Sequence, residues 1–267
     1  MQQCATAEKK KPASAGQTIK LLSYNIQAGI KTENYHHYLT RSWKHIVHHP
    51  QRFANLRRIA DMLAEFDIVG IQEADAGSLR SGYINLTEYL AEHADFPYWD
   101  DKTNRRIGQF AHHSLGILSR FRPTGITEHK LPGRIPGRGA LAVRYGDGEE
   151  SLVVLIAHLA LSHRARMNQL DYLADQINQY RHVVLMGDFN CQSESEEIGQ
   201  LVNRTLMSEP LHGLNTFPSW RPKRNIDHIL VSPTVKILNA EVMDCSISDH
   251  LPIAVDIQLP NTVILKN

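Results

Sequence analysis

Short apolar runs separated by polar loops are the main pattern along this chain. Runs of this length, bounded by turn-forming residues, are typical of buried β-strands, whereas helices need longer periodic segments. The pattern predicts eight strands, at Ile19–Ile26, Ile68–Ile71, Ser114–Ser119, Gly139–Tyr145, Leu152–Ala157, Val183–Met186, Ile226–Val231 and Ile253–Ile257.

Two segments show the periodicity of amphipathic helices instead. Apolar residues fall on one helical face from Phe53 to Leu63 and again from Met167 to Ile177. Each of these helices leads directly into a predicted strand. Gly146-Asp147-Gly148, in contrast, predicts a hairpin between two strands, because glycine and aspartate tolerate positive φ. The mixture favours an α/β protein with mixed sheets over a purely parallel one.

The chain shows no internal linker, low-complexity tract or repeat, so we expect one domain over residues 18–267 after a flexible tail over residues 1–17. The tail contains three consecutive lysines and lacks the apolar core of a signal peptide, and no run is long enough to span a membrane. A cytoplasmic protein is the simplest expectation. The alternative is an exported precursor trimmed at its start, with Cys4 as an acylated lipoprotein cysteine.

Composition and charge narrow the class of function. The 267 residues carry 42% hydrophobic and 21% charged residues, as in an ordinary globular protein. The net charge of +1 is too small to attract nucleic acid or a membrane through the electrostatic field of the whole protein. Only local charged patches could do so. Three cysteines without CxxC spacing predict neither a disulfide framework nor a zinc site. Several of the 15 histidines, including the pairs His36-His37 and His48-His49, are interpreted as residues of solvated loops rather than metal ligands.

Polar residues stand where many of the predicted strands end. Taken singly, each has an ordinary explanation as a turn residue or a solvated acid. Taken together, they predict that several strand ends converge on one site. The residues concerned are Asn25, Glu73, His158, Asp188, Asn190, Asp227, Asp249 and His250.

Carboxylate and amide oxygens without cysteine suit a hard cation such as Mg²⁺ or Mn²⁺ better than zinc. Glu73 and Asn25 are the candidates for holding it. Asp188 is the candidate base for an attacking water. Asn190, two residues further, lies on the same face if the strand continues and would align the water or a phosphate.

The histidines complete the predicted constellation. His250 would supply a proton or positive charge to a phosphate, with Asp227 orienting its ring, and His158 would be a second donor to phosphate oxygens. Asp249 would either help hold His250 or contribute to a second metal position. Two arginines in loops, Arg138 and Arg224, are the candidates for substrate phosphate, whereas Arg134 is interpreted as solvated.

The order and spacing of these residues, with the segments Gly187-Asp188-Phe189-Asn190 and Ser248-Asp249-His250-Leu251-Pro252, resemble the endonuclease/exonuclease/phosphatase superfamily from about Ile19 to Ile257. The resemblance implies a four-layered α/β sandwich, in which two mixed sheets pack face to face with helices outside. It also implies metal-dependent phosphoester cleavage by an activated water. Asn25 and Glu73 then lie on the metal side, Asp188 and Asn190 serve the nucleophile, and His250 with Asp227 stabilises the phosphate. Asp249 and His158 match the remaining site positions.

Two departures from the family pattern bear on the substrate. Gln27 stands where nuclease branches often carry an acid, and His113-Ser114 stands where many relatives have an asparagine. Because the fold does not name the substrate, three hypotheses remain. The first is hydrolysis of a small or lipid-like phosphoester. For a lipid-like substrate, Tyr35, Tyr38 and Trp43 would either provide a membrane contact or pack on the body of the protein. The second is a DNA or RNA nuclease, and the third is a noncatalytic binding protein on this fold.

Overall fold

The computed structural model describes residues 16–29, 50–108, 110–133 and 138–267. The first part of the predicted tail, the aromatic and histidine-rich insertion and Arg134 lie outside these ranges. Within them the chain forms eleven strands and four α-helices. The strands are β1 (Thr18–Asn25), β2 (Ile68–Asp75), β3 (Tyr98–Ile107), β4 (Ala111–Ser119), β5 (Gly125–Lys130), β6 (Gly139–Tyr145), β7 (Leu152–His158), β8 (His182–Asp188), β9 (Asp227–Val231), β10 (Lys236–Val242) and β11 (Ile253–Gln258). The helices are α1 (Pro50–Leu63), α2 (Leu86–His93), α3 (His163–Ile177) and α4 (Glu196–Thr205).

The strands form two mixed sheets, as predicted. The first has the order β10-β11-β1-β2-β4-β3 and the second the order β5-β6-β7-β8-β9. Each sheet contains one parallel pair, β1 with β2 and β7 with β8, and antiparallel neighbours elsewhere. The predicted hairpin at Gly146-Asp147-Gly148 is confirmed, since it joins the antiparallel strands β6 and β7.

The two sheets pack face to face through a core of branched aliphatic side chains and methionine, which includes Ile19, Ile68, Val154 and Met186. The approach is close enough that a Cβ added at Gly70 would lie 2.8 Å from the Met186 methyl group. The two parallel pairs lie across from each other in this packing. The carboxyl ends of four strands therefore emerge at the same edge of the sandwich.

Helices cover both outer faces. Leu56, Ile59 and Leu63 of α1 pack with α2 on the first sheet. On the second sheet, Leu170 and Leu173 of α3 pack with α4. The apolar spacing of α1 and α3 thus buries one face of each helix, and the four-layered sandwich is confirmed. None of the described helices is long and apolar enough to cross a membrane.

Candidate active site

Each of the four strands in the two parallel pairs brings a polar side chain to the common edge. Asn25 ends β1, His158 ends β7 and Asp188 ends β8, while Glu73 lies near the end of β2. Glu73 has a φ of 55° at an irregularity in the pairing of β2 with β4. Asp227 begins β9 directly opposite Asp188, so it joins the same group.

The Asp188 carboxylate is the centre of this group. One oxygen, Oδ2, accepts a hydrogen bond from Asn25 Nδ2 at 3.2 Å and lies 3.3 Å from His158 Nε2 and 3.9 Å from His250 Nε2. The other oxygen accepts from the backbone N–H of Asn190 at 2.9 Å. Burial opposes the charge, but the hydrogen bond and charge of His158 and the charge of His250 outweigh it, so the pKa of Asp188 is lowered. Asp188 is therefore ionised at neutral pH.

The turn that follows Asp188 is sterically demanding. Gly187 has a φ of 145°, and a Cβ at this position would lie 1.9 Å from the carbonyl oxygen of Ala157 on β7. Asn190 has a φ of 55° and donates from Nδ2 to the carbonyl oxygen of Leu159 at 3.0 Å. These contacts fix the Asp188–Asn190 turn against the loop that follows His158.

We expect Gly187→Ala to lower the free energy of unfolding by roughly 2–4 kcal/mol, because the methyl group requires β7 and β8 to separate beside the site. The matched control is Gly199→Ala in α4, where a Cβ would meet nothing within 4 Å. That change should be neutral or stabilising by about 0.5–1 kcal/mol. Urea denaturation measures both, and equal stability of the two variants would contradict this account of Gly187.

His250 and Asp227 form a buried ion pair. The ring donates from Nδ1 to the Asp227 carboxylate, at 2.8 Å from Oδ2 and 3.1 Å from Oδ1. Thr216 Oγ1 donates to the same carboxylate at 2.5 Å, and the Phe217 ring packs on the imidazole with centroids 4.9 Å apart. Burial disfavours the imidazolium, but the Asp227 carboxylate outweighs burial and raises the pKa of His250 to about 10. The ring therefore carries a positive charge at neutral pH.

Asp188, Asp227 and His250 place possible metal-ligand atoms within 4.8 Å of one another. A protonated imidazole has no lone pair to give a metal, so this cluster is better explained as two carboxylates on either side of the positive charge of His250. Glu73 and Asn25 are the residues that could hold a cation beside Asp188 and His158. The Glu73 side chain is 32% exposed, and Asn25 Oδ1 accepts one hydrogen bond, from the Gln27 N–H at 3.2 Å. Carboxylate and amide oxygens are the donor set of a hard cation.

His158 lies beside both Asp188 and Glu73. Its Nε2 is 3.3 Å from Asp188, 3.9 Å from Glu73 Oε1 and 2.6 Å from Arg138 Nη1. A protonated Nε2 donates to Asp188, whereas a deprotonated Nε2 accepts from the guanidinium, so only one of these bonds forms at a time. Arg138 thereby reaches the group directly, which places one of the two predicted phosphate-binding arginines at the site.

The remaining predicted residues are placed differently. Asp249 is buried beside His250, accepts from Ser248 Oγ at 3.2 Å and raises the pKa of His250 less than Asp227 does. Arg224 is exposed, and its backbone pairs with Phe217, which packs on His250. Thr216 was not anticipated. No sequence signal marks it, because it acts on Asp227 from a loop without a recognisable motif.

Comparison with solved structures shows the same fold in several proteins of low sequence identity. An endonuclease/exonuclease/phosphatase from Beutenbergia cavernae is 19% identical, with a TM-score of 0.69, over 91% of this chain and 72% of that one. A mannosyl-6-phosphatase from Bacteroides thetaiotaomicron is 18% identical, with a TM-score of 0.65, over 90% of this chain and 99% of that one. The human Nocturnin catalytic domain is 15% identical, with a TM-score of 0.66, over 91% of this chain and 95% of that one.

No curated protein sequence matches this chain. A family model does, and it is described as the endonuclease/exonuclease/phosphatase family. The match covers residues 22–250, from the core of β1 to His250 and thus every strand end described above. Members of this family are phosphoesterases and nucleases, and the resemblance seen in the sequence is confirmed. The chain belongs to the endonuclease/exonuclease/phosphatase family.

Proposed function

We propose that this chain is a metal-dependent hydrolase that cleaves a phosphoester by attack of an activated water. The observation that carries the proposal is the environment of Asp188. Its buried, ionised carboxylate lies between the Asn25 and His158 side chains and a His250 ring held positive by Asp227. Such a carboxylate can take a proton from an attacking water, and a fixed positive charge beside it can stabilise the charge that develops on the phosphoryl oxygens.

In this mechanism each residue acts at a defined place. Asp188 orients the water and takes its proton as the new phosphorus–oxygen bond forms, since its lowered pKa makes it a weak base before attack. His250 donates to a phosphoryl oxygen from Nε2, because its Nδ1 is held by Asp227. Arg138 and His158 contact the remaining phosphate oxygens.

Glu73 and Asn25 would hold the cation, with Mg²⁺ or Mn²⁺ the ions that suit oxygen donors. When bound there, such a cation neutralises phosphate charge and stabilises the leaving oxygen. Asp249 is proposed as a support of the His250 segment, and Arg224 as a more distant phosphate contact. Both assignments follow from position and charge.

The substrate proposed first is a small or lipid-like phosphoester. A net charge of +1 provides little of the field that draws long nucleic acids to a nuclease. One protein of similar fold is, by its name, a mannosyl-6-phosphatase, although at 18% identity the likeness itself extends to fold alone. Nuclease activity is the second candidate, since the family includes nucleases.

A comparison of the wild type with Asp188→Ala on four substrates distinguishes these candidates. The substrates are bis-p-nitrophenyl phosphate, p-nitrophenyl phosphate, plasmid DNA and sphingomyelin, and product release is measured for each. A signal that depends on Asp188 identifies the branch: DNA cleavage favours a nuclease, whereas release from the other substrates favours a small or lipid-like phosphoester. No Asp188-dependent release from any of the four, with metal bound and the fold intact, would favour a noncatalytic binding protein.

Glu73→Gln tests the proposed metal position. The substitution keeps size and one oxygen but removes the charge, so we expect the Mg²⁺ concentration for half-maximal rate to rise by about 10-fold or more. A Mg²⁺ titration of the rate measures it, with Glu128→Gln, an exposed acid on β5, as the control. An unchanged midpoint in Glu73→Gln would show that Glu73 is not a ligand.

A further inference from the structure

A second buried ion pair, on the opposite face of the second sheet from Asp227, has no part in the mechanism above. His228 follows Asp227 in β9, and side chains alternate between the faces of a strand, so the His228 ring points away from the site. The ring is completely buried. Its Nδ1 lies 2.5 Å from Glu209 Oε1, and its Nε2 lies 2.8 Å from the carbonyl oxygen of Cys191.

The partners of this ring determine its protonation. The Cys191 carbonyl can only accept a hydrogen bond, and so can an ionised Glu209 carboxylate. Both ring nitrogens must then carry a proton, which makes His228 an imidazolium. Burial opposes that charge, but the hydrogen bond and charge of Glu209 outweigh it, so the pKa of His228 is raised. His228 in turn lowers the pKa of Glu209. A neutral imidazole has only one N–H and cannot donate to both partners.

The pair is connected to the turn that carries Asp188 and Asn190. His228 bonds the Cys191 carbonyl, one residue after Asn190, and its ring stacks on Phe189 with centroids 5.0 Å apart. Glu209 extends the connection, since its Oε1 also accepts from Ser193 Oγ at 2.7 Å. The turn is further tied to the start of β9 by the Phe189 N–H, which donates to the Ile226 carbonyl at 2.8 Å.

We propose that His228 and Glu209 are positioning residues, whose buried ion pair fixes the Asp188–Asn190 turn relative to Asp227 and His250. The two halves of the site are on different chain segments, and Asp188 lies 3.9 Å from His250 Nε2, a separation that a small movement of the turn changes. Asn190 also holds a positive φ, a conformation that persists when its surroundings enforce it. The proposal rests on the proposed function for its effect on rate, but its effect on the turn stands independently.

The chain contains a matched control. His182, at the other end of β8 from Asp188, is also buried and also pairs with a glutamate, with Nε2 3.1 Å from Glu150 Oε2. Its Nδ1 lies 2.8 Å from Thr234 Oγ1, so both ring nitrogens have partners here too. Both pairs therefore join a buried histidine of the second sheet to a glutamate, and they differ in their distance from the site. Glu150 is more exposed than Glu209, at 33% against 7% for the side chains.

The test compares kcat and KM of His228→Gln and Glu209→Gln with those of His182→Gln and Glu150→Gln, at temperatures well below each Tm. Loss of the pair near the turn should lower kcat roughly 10- to 100-fold with little change in KM, because displacement of reacting groups by about 1 Å has effects of this size. The double variant His228→Gln/Glu209→Gln should lose no more than the worse single variant, since the two side chains act as one unit. The control pair should change Tm and leave kcat within about twofold of wild type.

A wild-type kcat in folded Glu209→Gln would overturn the proposal. An equal loss of kcat in both pairs would also overturn it, because the loss would then reflect a general effect on stability. Glu209→Gln keeps an oxygen for His228, so it still decides the question if His228→Gln does not fold. Amide hydrogen exchange over residues 189–193 provides a readout without substrate. Faster exchange there in Glu209→Gln, but not in Glu150→Gln, supports the proposal even if the wild type proves inactive, whereas unchanged exchange contradicts it. Absence of wild-type activity alone would count against the proposed function.

Discussion

Asp188→Asn is expected to lower kcat by roughly 10³-fold, within the range seen when a single acid–base group is removed. The amide keeps the size of the side chain and one oxygen, but it cannot take a proton from water. It also brings an N–H group toward Asn25, His158 or His250, each of which now donates to or is attracted by a carboxylate. Substrate binding should change less than turnover, because Arg138 and His250 remain.

Steady-state kinetics measures kcat and KM of the variant, and near-ultraviolet circular dichroism verifies that the variant is folded. Asp256→Asn serves as the control. Asp256 lies opposite Lys20 in the pairing of β11 with β1, near the start of β1 and far from Asn25 at its other end. Turnover by folded Asp188→Asn within about threefold of wild type would remove Asp188 from the chemistry. It would also require another base in the mechanism.

Asp227→Asn is expected to lower kcat at neutral pH by roughly 10²-fold, because it removes the charge that keeps His250 protonated. Burial opposes the imidazolium, and the Asp227 carboxylate outweighs it to give a pKa of about 10. Without that carboxylate, the pKa of the buried ring should fall toward or below its ordinary value of about 6.5. Part of the lost rate should therefore return as the pH is lowered.

The sign of the pH effect also appears in stability. The folded pKa of His250 exceeds the unfolded value, so the stabilisation from its pair with Asp227 is full below about pH 6.5. It is lost as the pH rises through about 10. In Asp227→Asn this contribution should be absent. The pH–rate profile and an NMR titration of the His250 ring measure the shift directly, and a ring that still titrates near pH 10 in Asp227→Asn would contradict the assignment of Asp227 as its partner.

The strands that the sequence predicted are those that lie inside the sheets, and β9. Their apolar runs are uninterrupted because both faces of these strands are covered, by the other sheet and by helices. β3, β5 and β10 were not predicted, and each is an edge strand. Edge strands carry charged and exposed residues, as in Tyr98–Ile107 and Lys236–Val242, so neither an apolar run nor clean alternation marks them. Helices α2 and α4 are short and were missed for lack of a long periodic pattern.

The residues of the candidate site could be predicted from the sequence more readily than the residues that hold them in place. Asn25, Glu73, His158 and Asp188 could be located because a polar residue at the end of an apolar run is visible in the chain. Their convergence follows from two parallel pairs stacked across the sandwich, which the runs alone do not fix. Thr216 and Glu209 lie in loops without periodicity and act through contacts with residues 11 and 19 positions away. Only the folded chain reveals such partners.

The most direct test of metal-dependent hydrolysis is the rate of p-nitrophenol release from bis-p-nitrophenyl phosphate by chelator-treated wild type, before and after Mg²⁺ or Mn²⁺ is added. The mechanism predicts a rate near background in chelator, recovery with either cation, and no recovery in Asp188→Asn. Full activity of the wild type in excess chelator, or equal recovery in Asp188→Asn, would contradict the proposed function.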